Sequence, residues 1–499
     1  FTRMLREHGA EAVAFYVSGQ LLTEDYYVAN KLMKGYFGSA NIDTNSRLCM
    51  ASAVAGYKRA FGADSVPCSY ADLEQARLIV LVGSNTAWCH PVLFQRMTQA
   101  KKDNAQLRVV VIDPRRTATC DIADTHLAPR SGTDGILFNG LLAYLERHGH
   151  GHSQFIQHCT EGLDAALAAA QHSASSIEQV ARQCGLAEEQ VRAFYQQFAH
   201  TERTVTVFSQ GINQSSSGTD KVNAIINCHL YTGRIGRVGM GPFSFTGQPN
   251  AMGGREVGGL ANQLAAHMDI ENAGHRALVQ SFWQSPAMAQ APGLKAVDLF
   301  KAVGEGRIKA LWIMGTNPAV SLPDVDRVRD ALKQCEFVVL SDCMRAMDSA
   351  AYAHVLLPAA AWGEKDGTVT NSERRISRQR AFLPPPGEVR PDWWIITQVA
   401  RRMGYAQGFG YESAVEVFRE HARLTGAGNE GARDFDISAL AGLDDVAYAD
   451  LTPVQWPVNA AQPEGRARLF ADGRFYTPSG RARFIPITPM PPAHAVDPE

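Results

Sequence analysis

The 499-residue sequence lacks several features that would each indicate a definite class of protein. No uninterrupted apolar run approaches the ~20 residues that a membrane-spanning helix needs. Charges nearly cancel, with a net charge of -2 and a pI of about 6.8, so nucleic acid and anionic membrane surfaces are not indicated as partners. The nine cysteines include no C-x-x-C pair, which favours reduced thiols in a cytoplasmic setting over a disulfide framework.

Familiar catalytic patterns are missing as well. No G-x-G-x-x-G follows a strand, so a standard nicotinamide site is disfavoured, and no Ser-His-Asp or paired-carboxylate arrangement stands out. The chain begins at Phe1 without a Met or a signal sequence, which predicts a fragment. Composition is that of a soluble globular enzyme, and the length exceeds what one hydrophobic core supports, so we expect several domains.

What the sequence does contain is one pattern that occurs twice. The apolar run 78–82 leads into Gly83-Ser84-Asn85, and the run 310–314 leads into Gly315-Thr316-Asn317. A strand, a tight turn of small residues and a helix start expose backbone N–H groups that attract phosphate oxygens. Each copy by itself could be an ordinary turn between a strand and a helix.

The match between the two copies continues beyond the turn. A second apolar strand ends at Asp113 in one copy and at Asp342 in the other, and the distance to the next strand-ending proline, Pro129 or Pro358, is sixteen residues in both. An aspartate at a strand tip can bind ribose hydroxyls or the N–H edge of a base. The repeat therefore predicts two nucleotide-bearing cofactors, or one large cofactor held by two halves.

The order of segments predicts an α/β fold. Buried strands are expected at 13–17 and 204–208, with helices at about 23–33, 51–61 and 221–231, and strands that alternate with helices indicate parallel sheets. The stretch 233–259 holds nine glycines and few signals of strand or helix, which is typical of a functional segment.

Cys49 is the first candidate for chemistry. The prediction of a helix from 51 onward puts this cysteine just ahead of a helix N-terminus, which favours the thiolate, and Arg47 is close enough in sequence to help. A thiolate there suits a nucleophile or a soft metal ligand. The alternative is a buried small hydrophobic residue.

These segments together resemble the molybdenum nitrate reductases of bacteria, within the molybdopterin oxidoreductase family. The resemblance covers nearly the whole chain and is greatest to the assimilatory catalytic subunits, with the periplasmic enzymes close relatives. It is carried, in order along the chain, by the Cys49 segment, Gly83-Ser84-Asn85, Asp113 to Thr117, Gly132-Thr133-Asp134, Thr246 to Asn250 and Ser341-Asp342.

The resemblance implies a molybdenum ion held by two molybdopterin guanine dinucleotides, with Cys49 as the protein ligand. Carried over position by position, it implies that the cofactor is lined by Gln20, Asn45, Val82, Gly83, Ser84, Asn85, Cys89, Asp113, Pro114, Arg115, Arg116, Thr117, Gly132, Thr133, Asp134, Gln210, Gln214, Asn317, Ser341, Asp342, Lys365 and Asp392.

Two further residues follow from the resemblance. Formate dehydrogenases of the family place histidine after the metal-binding residue, whereas this chain has Met50, which suits oxygen-atom transfer because that reaction needs no base there. Arg255 falls where the family places an arginine facing the metal, and its planar guanidinium is complementary to a planar oxyanion such as nitrate. A structural salt bridge with Glu256 is the alternative.

Two other clusters are weaker candidates. His148, His150 and His152 alternate as in a metal-binding tract but fall in a predicted surface loop. The basic run 374–380 is more typical of a solvated edge than of a pyrophosphate or partner contact.

The function implied is reduction of nitrate to nitrite for nitrogen assimilation, in the cytoplasm. Formate oxidation, reduction of another oxoanion, or a structural subunit without cofactor are the alternatives. The family's [4Fe-4S] cysteine motif is not in this sequence, so electrons from a ferredoxin, a flavodoxin or an NADH-dependent flavoprotein would enter outside this chain.

The expected domains follow the repeat. Residues 1–45 with 256–365 form one α/β domain that binds a guanine dinucleotide, and 46–255 form a second that binds the other and carries the molybdenum ligand. Residues 366–455 are expected to form a connecting segment, and residues 456–499 to begin a truncated β-rich domain.

Overall fold

The computed structural model describes residues 1–494, which form two compact units. The first unit contains residues 1–48 and 248–466, and the second contains residues 49–247 and the chain from 467 onward. Each unit is therefore built from two separate stretches of sequence.

Fifteen β-strands are numbered in chain order. They are β1 (Val13–Val17), β2 (Ile42–Thr44), β3 (Leu78–Val82), β4 (Arg108–Ile112), β5 (Thr125–Leu127), β6 (Thr160–Glu161), β7 (Thr204–Phe208), β8 (Gly241–Ser244), β9 (Ala310–Met314), β10 (Phe337–Asp342), β11 (Val355–Pro358), β12 (Gly367–Thr370), β13 (Arg375–Gln379), β14 (Val454–Gln455) and β15 (Ala482–Arg483).

The α-helices are numbered in the same way. They are α1 (Thr2–His8), α2 (Thr23–Asn30), α3 (Ser46–Phe61), α4 (Tyr70–Gln75), α5 (Thr86–Cys89), α6 (Pro91–Asp103), α7 (Asp134–Arg147), α8 (Ser153–Cys159), α9 (Leu163–Ser173), α10 (Ile177–Cys184), α11 (Glu188–His200), α12 (Gln210–Asn213), α13 (Gly218–Tyr231), α14 (Ala251–Glu256), α15 (Ala273–Trp283), α16 (Ala296–Gly304), α17 (Pro318–Ser321), α18 (Val325–Gln334), α19 (Asp392–Ala400), α20 (Ala414–Gly426) and α21 (Asp445–Ala449).

The first unit is organised by a five-stranded parallel sheet with the order β11-β10-β9-β1-β2. Its central strands are apolar on both faces because side chains alternate across a strand: Phe15 and Trp312 pack into one core, while Tyr16 and Ile313 pack into the other. Burial on both faces explains why these strands read as continuous apolar runs. A smaller antiparallel sheet, β12-β13-β14, completes this unit.

The second unit has its own five-stranded parallel sheet, with the order β5-β4-β3-β7-β8. Strand β3 is fully buried, and the buried faces of α7 and α13 belong to the same unit. Near the end of the described chain, β15 pairs with β6 in a two-stranded sheet. The α/β fold with two related parallel-sheet domains is confirmed.

Several boundaries differ from those expected. Helix α3 begins at Ser46 and not near 51, so Cys49 lies inside its first turn. The glycine-rich stretch 233–259 contains β8 and α14. Helix α2 continues as a π-helix over Lys31–Phe37, where backbone hydrogen bonds span five residues and not four.

The compact units also divide the chain differently from the expected domains. Residues 366–455 belong to the first unit and do not form a separate connecting segment. The expected start of a β-rich domain, 456–499, is split at 466, and its residues 495–499 lie outside the described part. In residues 1–494 no helix is long and apolar enough to cross a membrane.

Candidate active site

The turn after β3 is held by a close backbone approach in the second unit. Gly83 has φ +53°, and a Cβ added to it would lie 2.8 Å from the Cα of Gly211, while a Cβ on Gly211 would lie 2.6 Å from the Cα of Gly83. The Gly211 N–H donates to the Gly83 carbonyl at 2.9 Å. Only glycine fits at both positions, so the ends of β3 and β7 pack backbone against backbone.

The same turn carries a hydrogen-bond pattern that the first unit repeats. Asn85 Oδ1 accepts from the Thr119 hydroxyl at 3.1 Å, and Asn317 Oδ1 accepts from the Ser349 hydroxyl at 2.7 Å. Each hydroxyl lies in a short 3₁₀ helix that follows the next strand. The repeat seen in the sequence is therefore a repeat of side-chain contacts as well.

The strand-tip aspartates are also equivalent. Asp113 Oδ1 accepts from the Arg115 backbone N–H, and Asp342 Oδ1 from that of Met344, both at 2.9 Å. In each case one carboxylate oxygen fixes the local turn. Burial raises the pKa of Asp342, and the Met344 N–H lowers it by less.

Apolar side chains are exposed after both turns. Trp88 is 75% exposed and Val320, five positions after its glycine like Trp88, is 55% exposed. Cys89 is exposed beside Trp88. Large exposed apolar groups beside these two turns fit a ligand with a flat ring, because such a ligand would cover them.

Cys49 is partly exposed in the second unit and is contacted by a predicted cofactor residue. The amide of Gln210 donates to Cys49 Sγ at 3.3 Å. Met50 behind it is buried, and Asn213 donates to its sulfur at 3.2 Å. Arg47, expected to help the thiolate, instead forms a bidentate ion pair with Asp43 at 3.0 and 3.1 Å.

The remaining candidates of the second unit are distributed along its loops. Gly132 has φ +90°, and Gln214 is exposed. The carboxylate of Asp134 is paired with the buried ammonium of Lys221 at 2.8 Å, so it anchors α7 to α13. The other expected residues at these strand ends, exposed or partly exposed, are Pro114, Arg115, Arg116, Thr117 and Thr133.

In the first unit the expected pair Lys365 and Asp392 is brought together. Lys365 Nζ lies 2.9 Å from Asp392 Oδ2 and 3.5 Å from Asp25 Oδ2. Burial would lower the pKa of Lys365, but the charges of Asp392 and Asp25 raise it above its ordinary value. The other oxygen of Asp392, Oδ1, is buried and has no hydrogen-bond partner in the part of the chain described.

A second group in the first unit joins Asn45 to a residue that was not among the expected ones. Asn45 Oδ1 accepts from the Gly19 N–H at 2.9 Å and from the Gln248 amide at 2.8 Å. Gln248 also accepts from the Ser46 hydroxyl at 2.5 Å. Gln20 is exposed at the end of β1. Gln248 lies in the segment Thr246 to Asn250, which carries the family resemblance. That segment is the sequence signal that could have identified Gln248.

Ser341 and Arg255 are buried. Ser341 Oγ accepts from the indole of Trp312 at 2.8 Å. Arg255, 4% exposed, donates to the Ala251 carbonyl and to the sulfur of Met252, both at 3.2 Å.

Glu256, the expected alternative partner of Arg255, is engaged elsewhere in the first unit. Its two oxygens accept from Thr370 at 2.8 Å and from Trp456 at 2.6 Å. Burial raises the pKa of Glu256 to about 7, and the charge of Arg255 is among the smaller effects that lower it.

The histidine tract and the basic run have structural contacts. His150 packs edge-on against His200 at 4.9 Å, and His152 accepts from the Phe155 N–H at 3.2 Å. No group of three potential metal ligands occurs between residues 1 and 494. Arg374 and Arg378 of the basic run are largely buried, which differs from the expected solvated edge.

Two parallel sheets with matched small-residue turns and strand-tip aspartates define a duplicated α/β protein. A family model described as molybdopterin oxidoreductase matches residues 1–402, and the chain belongs to that family. Membership implies a molybdenum–molybdopterin cofactor.

Several known proteins similar to the chain are named nitrate reductases. The chain is 55% identical over 494 residues to a nitrate reductase of Klebsiella oxytoca, covering 99% of this chain and 56% of that protein. It is 50% identical over 490 residues to a nitrate reductase of Shewanella frigidimarina, covering 97% and 52%. The chain thus spans about half the length of these relatives. Relatives named formate dehydrogenases are more distant.

A solved structure agrees at the level of fold. Acetylene hydratase from Pelobacter acetylenicus superposes with a TM-score of 0.72 at 17% identity, over 99% of this chain and 67% of that one. At this identity the likeness shows the architecture alone.

Proposed function

We propose that this chain is part of an enzyme that reduces nitrate to nitrite with a molybdenum cofactor, for nitrogen assimilation in the cytoplasm. The observation that carries the proposal is Cys49, a partly exposed thiol in the first turn of α3 that Gln210 contacts. The nitrate reductases of high identity support the same assignment. The nine free cysteines, all in the described part, are in keeping with a reducing compartment.

Each unit would bind one guanine dinucleotide. The small-residue turn after β3, which begins at Gly83, would offer backbone N–H groups to the pyrophosphate. Asp113 and Asp342 each accept from a backbone N–H of the local turn, and their carboxylates would also bind the N–H groups of guanine or the ribose hydroxyls. The unpartnered Oδ1 of Asp392 also fits an N–H donor of a bound cofactor.

Cys49 suits the part of a metal ligand because a thiolate is a soft donor, and molybdenum bound by dithiolenes accepts soft donors. When bound, molybdenum supplies the two-electron change that moving an oxygen atom from nitrate requires. Gln210 holds the sulfur in place through its amide hydrogen bond. Met50 is buried and offers no basic atom, so the chain provides no proton acceptor at that position.

Arg255 would bind nitrate and orient it. Its guanidinium carries a permanent positive charge and two parallel N–H donors that match a planar oxyanion. The buried position excludes water from around this charge, which strengthens its attraction for an anion.

The overall reaction consumes two electrons and two protons for each nitrate and releases nitrite and water. We propose that the electrons arrive through a [4Fe-4S] cluster of the complete enzyme from ferredoxin, flavodoxin or a flavoprotein that oxidises NADH. Cluster ligands are not part of this sequence, so the cluster belongs to the whole protein and not to this chain.

Formate oxidation and a structural subunit without cofactor are the competing functions. A formate dehydrogenase needs a proton acceptor beside the metal, which the thioether of Met50 cannot provide. Loss of cofactor would remove the reason for a duplicated glycine turn and a polar, partly exposed Cys49.

Metal analysis and two parallel assays of the complete protein test the proposal. We expect about one molybdenum per chain, with nitrate reduction by a dithionite-reduced dye and no oxidation of formate. Absence of molybdenum would support the structural subunit, and formate oxidation without nitrate reduction would support the dehydrogenase. Either result would overturn the assignment.

A further inference from the structure

Three arginines lie side by side at the amino-terminal edge of the second unit's parallel sheet, the edge opposite to the glycine turns. Arg77 precedes β3, Arg203 precedes β7 and Arg108 begins β4. The backbone ladder continues through them, because the Arg77 N–H donates to the Arg203 carbonyl at 2.8 Å and the Arg108 N–H to the Arg77 carbonyl at 2.9 Å. Neighbouring strands lie about 4.8 Å apart, and Arg108 is in register with Leu78, the residue after Arg77.

The three arginines line one cavity. Its volume is about 470 Å³, and the remaining lining residues are Gln106, His200, Thr201 and Glu202. The cavity is large enough for a phosphate-sized anion with its water. The single carboxylate of the lining, Glu202, is paired with Arg237 at 2.5 Å.

The positive charge of this cavity is poorly compensated. Arg77 donates to the neutral amide of Asn104 at 2.8 Å. Arg108 shares the carboxylate of Asp124 with Lys101, at 3.1 and 2.5 Å. The guanidinium of Arg203 has no hydrogen bond or ion pair with any residue from 1 to 494. Like charges on adjacent strands repel each other, and an anion bound among them would relieve this repulsion.

The matching edge of the first unit shows that the fold does not need this charge. There the residue before β9 is Lys309, and it forms a 2.7 Å ion pair with Glu336, the residue before β10. The residue before β1 is Ala12. The positions equivalent to Arg77, Arg203 and Arg108 therefore hold Lys309, Ala12 and Phe337, so one cation stands where the second unit has three. The excess is therefore specific to one copy of the repeat.

A pair of histidines lies at the border of the cavity. His150 packs on His200, which lines the cavity, at 4.9 Å. Burial lowers the pKa of His150, and the charges of His200, His148 and Arg234 lower it further.

We propose that this cavity, lined by Arg77, Arg108 and Arg203, is a binding site for a dianionic phosphate group, separate from the candidate active site. Guanidinium groups bind phosphate oxygens through paired N–H donors, and three of them match the charge and the tetrahedral oxygens of phosphate. The group could belong to inorganic phosphate or to a phosphate monoester, because the donors recognise only the charged oxygens.

Calorimetric titration of the complete protein tests the site, with inorganic phosphate, glycerol 3-phosphate and citrate at constant ionic strength set by chloride. We expect saturable binding of phosphate, and a drop of about tenfold or more in affinity for Arg203→Gln, since one charge-assisted contact is lost. Tighter binding of glycerol 3-phosphate than of phosphate would identify a monoester as the ligand, and the reverse would identify the free ion.

The exposed Arg192 on α11, which does not line the cavity, provides the matched control. Arg192→Gln removes the same charge and should leave phosphate affinity unchanged. Equal losses in the two variants would show a general charge effect and overturn the proposal. It would also fail if phosphate did not bind, if Arg203→Gln bound as tightly as the wild type, or if citrate alone bound.

Discussion

Both units contain a five-stranded parallel sheet of the same arrangement. The order in which the strands occur along the chain differs between them. In the second unit the strands run along the chain as β3, β4 and β5, then β7 and β8. In the first unit the strands equivalent to β7 and β8 are β1 and β2, and they precede the other three in sequence. Strand order in the sheet, and not order along the chain, therefore places the turns at one edge, where ligands of parallel sheets bind.

The two units differ in how tightly their turns are packed and in what they bury. Gly83 meets the backbone of Gly211, whereas Gly315 meets side chains, the nearest atom being at the tip of Leu21, 3.3 Å from an added Cβ. The first unit buries carboxyl groups with raised pKa values, about 7 for Glu24, while in the second the hydrogen bond from Arg483 lowers the pKa of Glu161. The repeat therefore preserves the turns and their hydrogen bonds but not their packing.

The largest effect is expected at Cys49, which lies in the second unit. Cys49→Ser replaces a soft donor by a harder oxygen, so nitrate reduction should fall about a thousandfold, roughly 4 kcal/mol in kcat/KM. The molybdenum EPR signal should shift while guanine nucleotide content stays near that of the wild type. Cys159→Ser, also at a partly exposed cysteine of the second unit, should leave both unchanged. Full activity with an unaltered signal in Cys49→Ser would remove the ligand assignment.

The two glycine turns should respond unequally to one added methyl group. Gly83→Ala combines a positive φ with a clash against the Gly211 backbone and should lower the free energy of unfolding by about 3 kcal/mol. Gly315→Ala should cost about 1 kcal/mol, because the Leu21 side chain can move.

Denaturant unfolding of the purified variants measures both costs. Gly149, with φ +69° and nothing within 4 Å of an added Cβ, isolates the cost of the backbone conformation alone in Gly149→Ala. Equal losses for Gly83→Ala and Gly315→Ala would mean that the two turns do not differ in packing.

Arg255 lies in the first unit, and its proposed ligand is the substrate and not the cofactor. Arg255→Ala should lower kcat/KM for nitrate about 30-fold, roughly 2 kcal/mol, with molybdenum content unchanged. Arg255→Lys keeps the charge without the planar fork and should recover part of the loss. An unchanged kcat/KM in the alanine variant would exclude Arg255 from nitrate binding.

The smallest expected effect concerns the buried carboxyl of Glu24, which accepts hydrogen bonds from Thr368 and Tyr448. Burial raises its pKa from 4.5 to about 7, so the folded state holds a proton that the unfolded state has lost. Its contribution to stability is full below pH 4.5 and is lost as the pH rises through 7.

Glu24→Gln should remove this pH dependence. The free energy of unfolding of the variant, relative to wild type, should therefore rise by about 1–2 kcal/mol between pH 5.5 and 7.5. Urea unfolding at several pH values measures the difference, with the exposed Glu7→Gln as control. Parallel curves for Glu24→Gln and wild type would contradict the raised pKa.

The sequence by itself determined the elements whose signal is local. The sequence predicted four of the strands, because burial on both faces requires a continuous apolar run. They are the strands at 13–17, 78–82, 204–208 and 310–314. The turns at Gly83 and Gly315 were readable because a positive φ selects glycine.

Part of the candidate site could also be predicted from local sequence patterns. Residues that follow strands were placed at strand ends, but their partners were not foreseen, since each partner is far away in sequence. The approach of Gly211 to Gly83, the pairing of Asp134 with Lys221 and the hydrogen bond of Gln248 to Asn45 are of this kind.

Tertiary structure alone decided the composition of the units and the start of α3. Helix α3 extends back to Ser46 although 46–50 carry no strong helix signal, because the Asp43–Arg47 ion pair and the hydrogen bond of Ser46 to Gln248 hold its first turn. Local patterns encode which side chains are buried, whereas the partners of those side chains depend on distances between segments that only folding brings together.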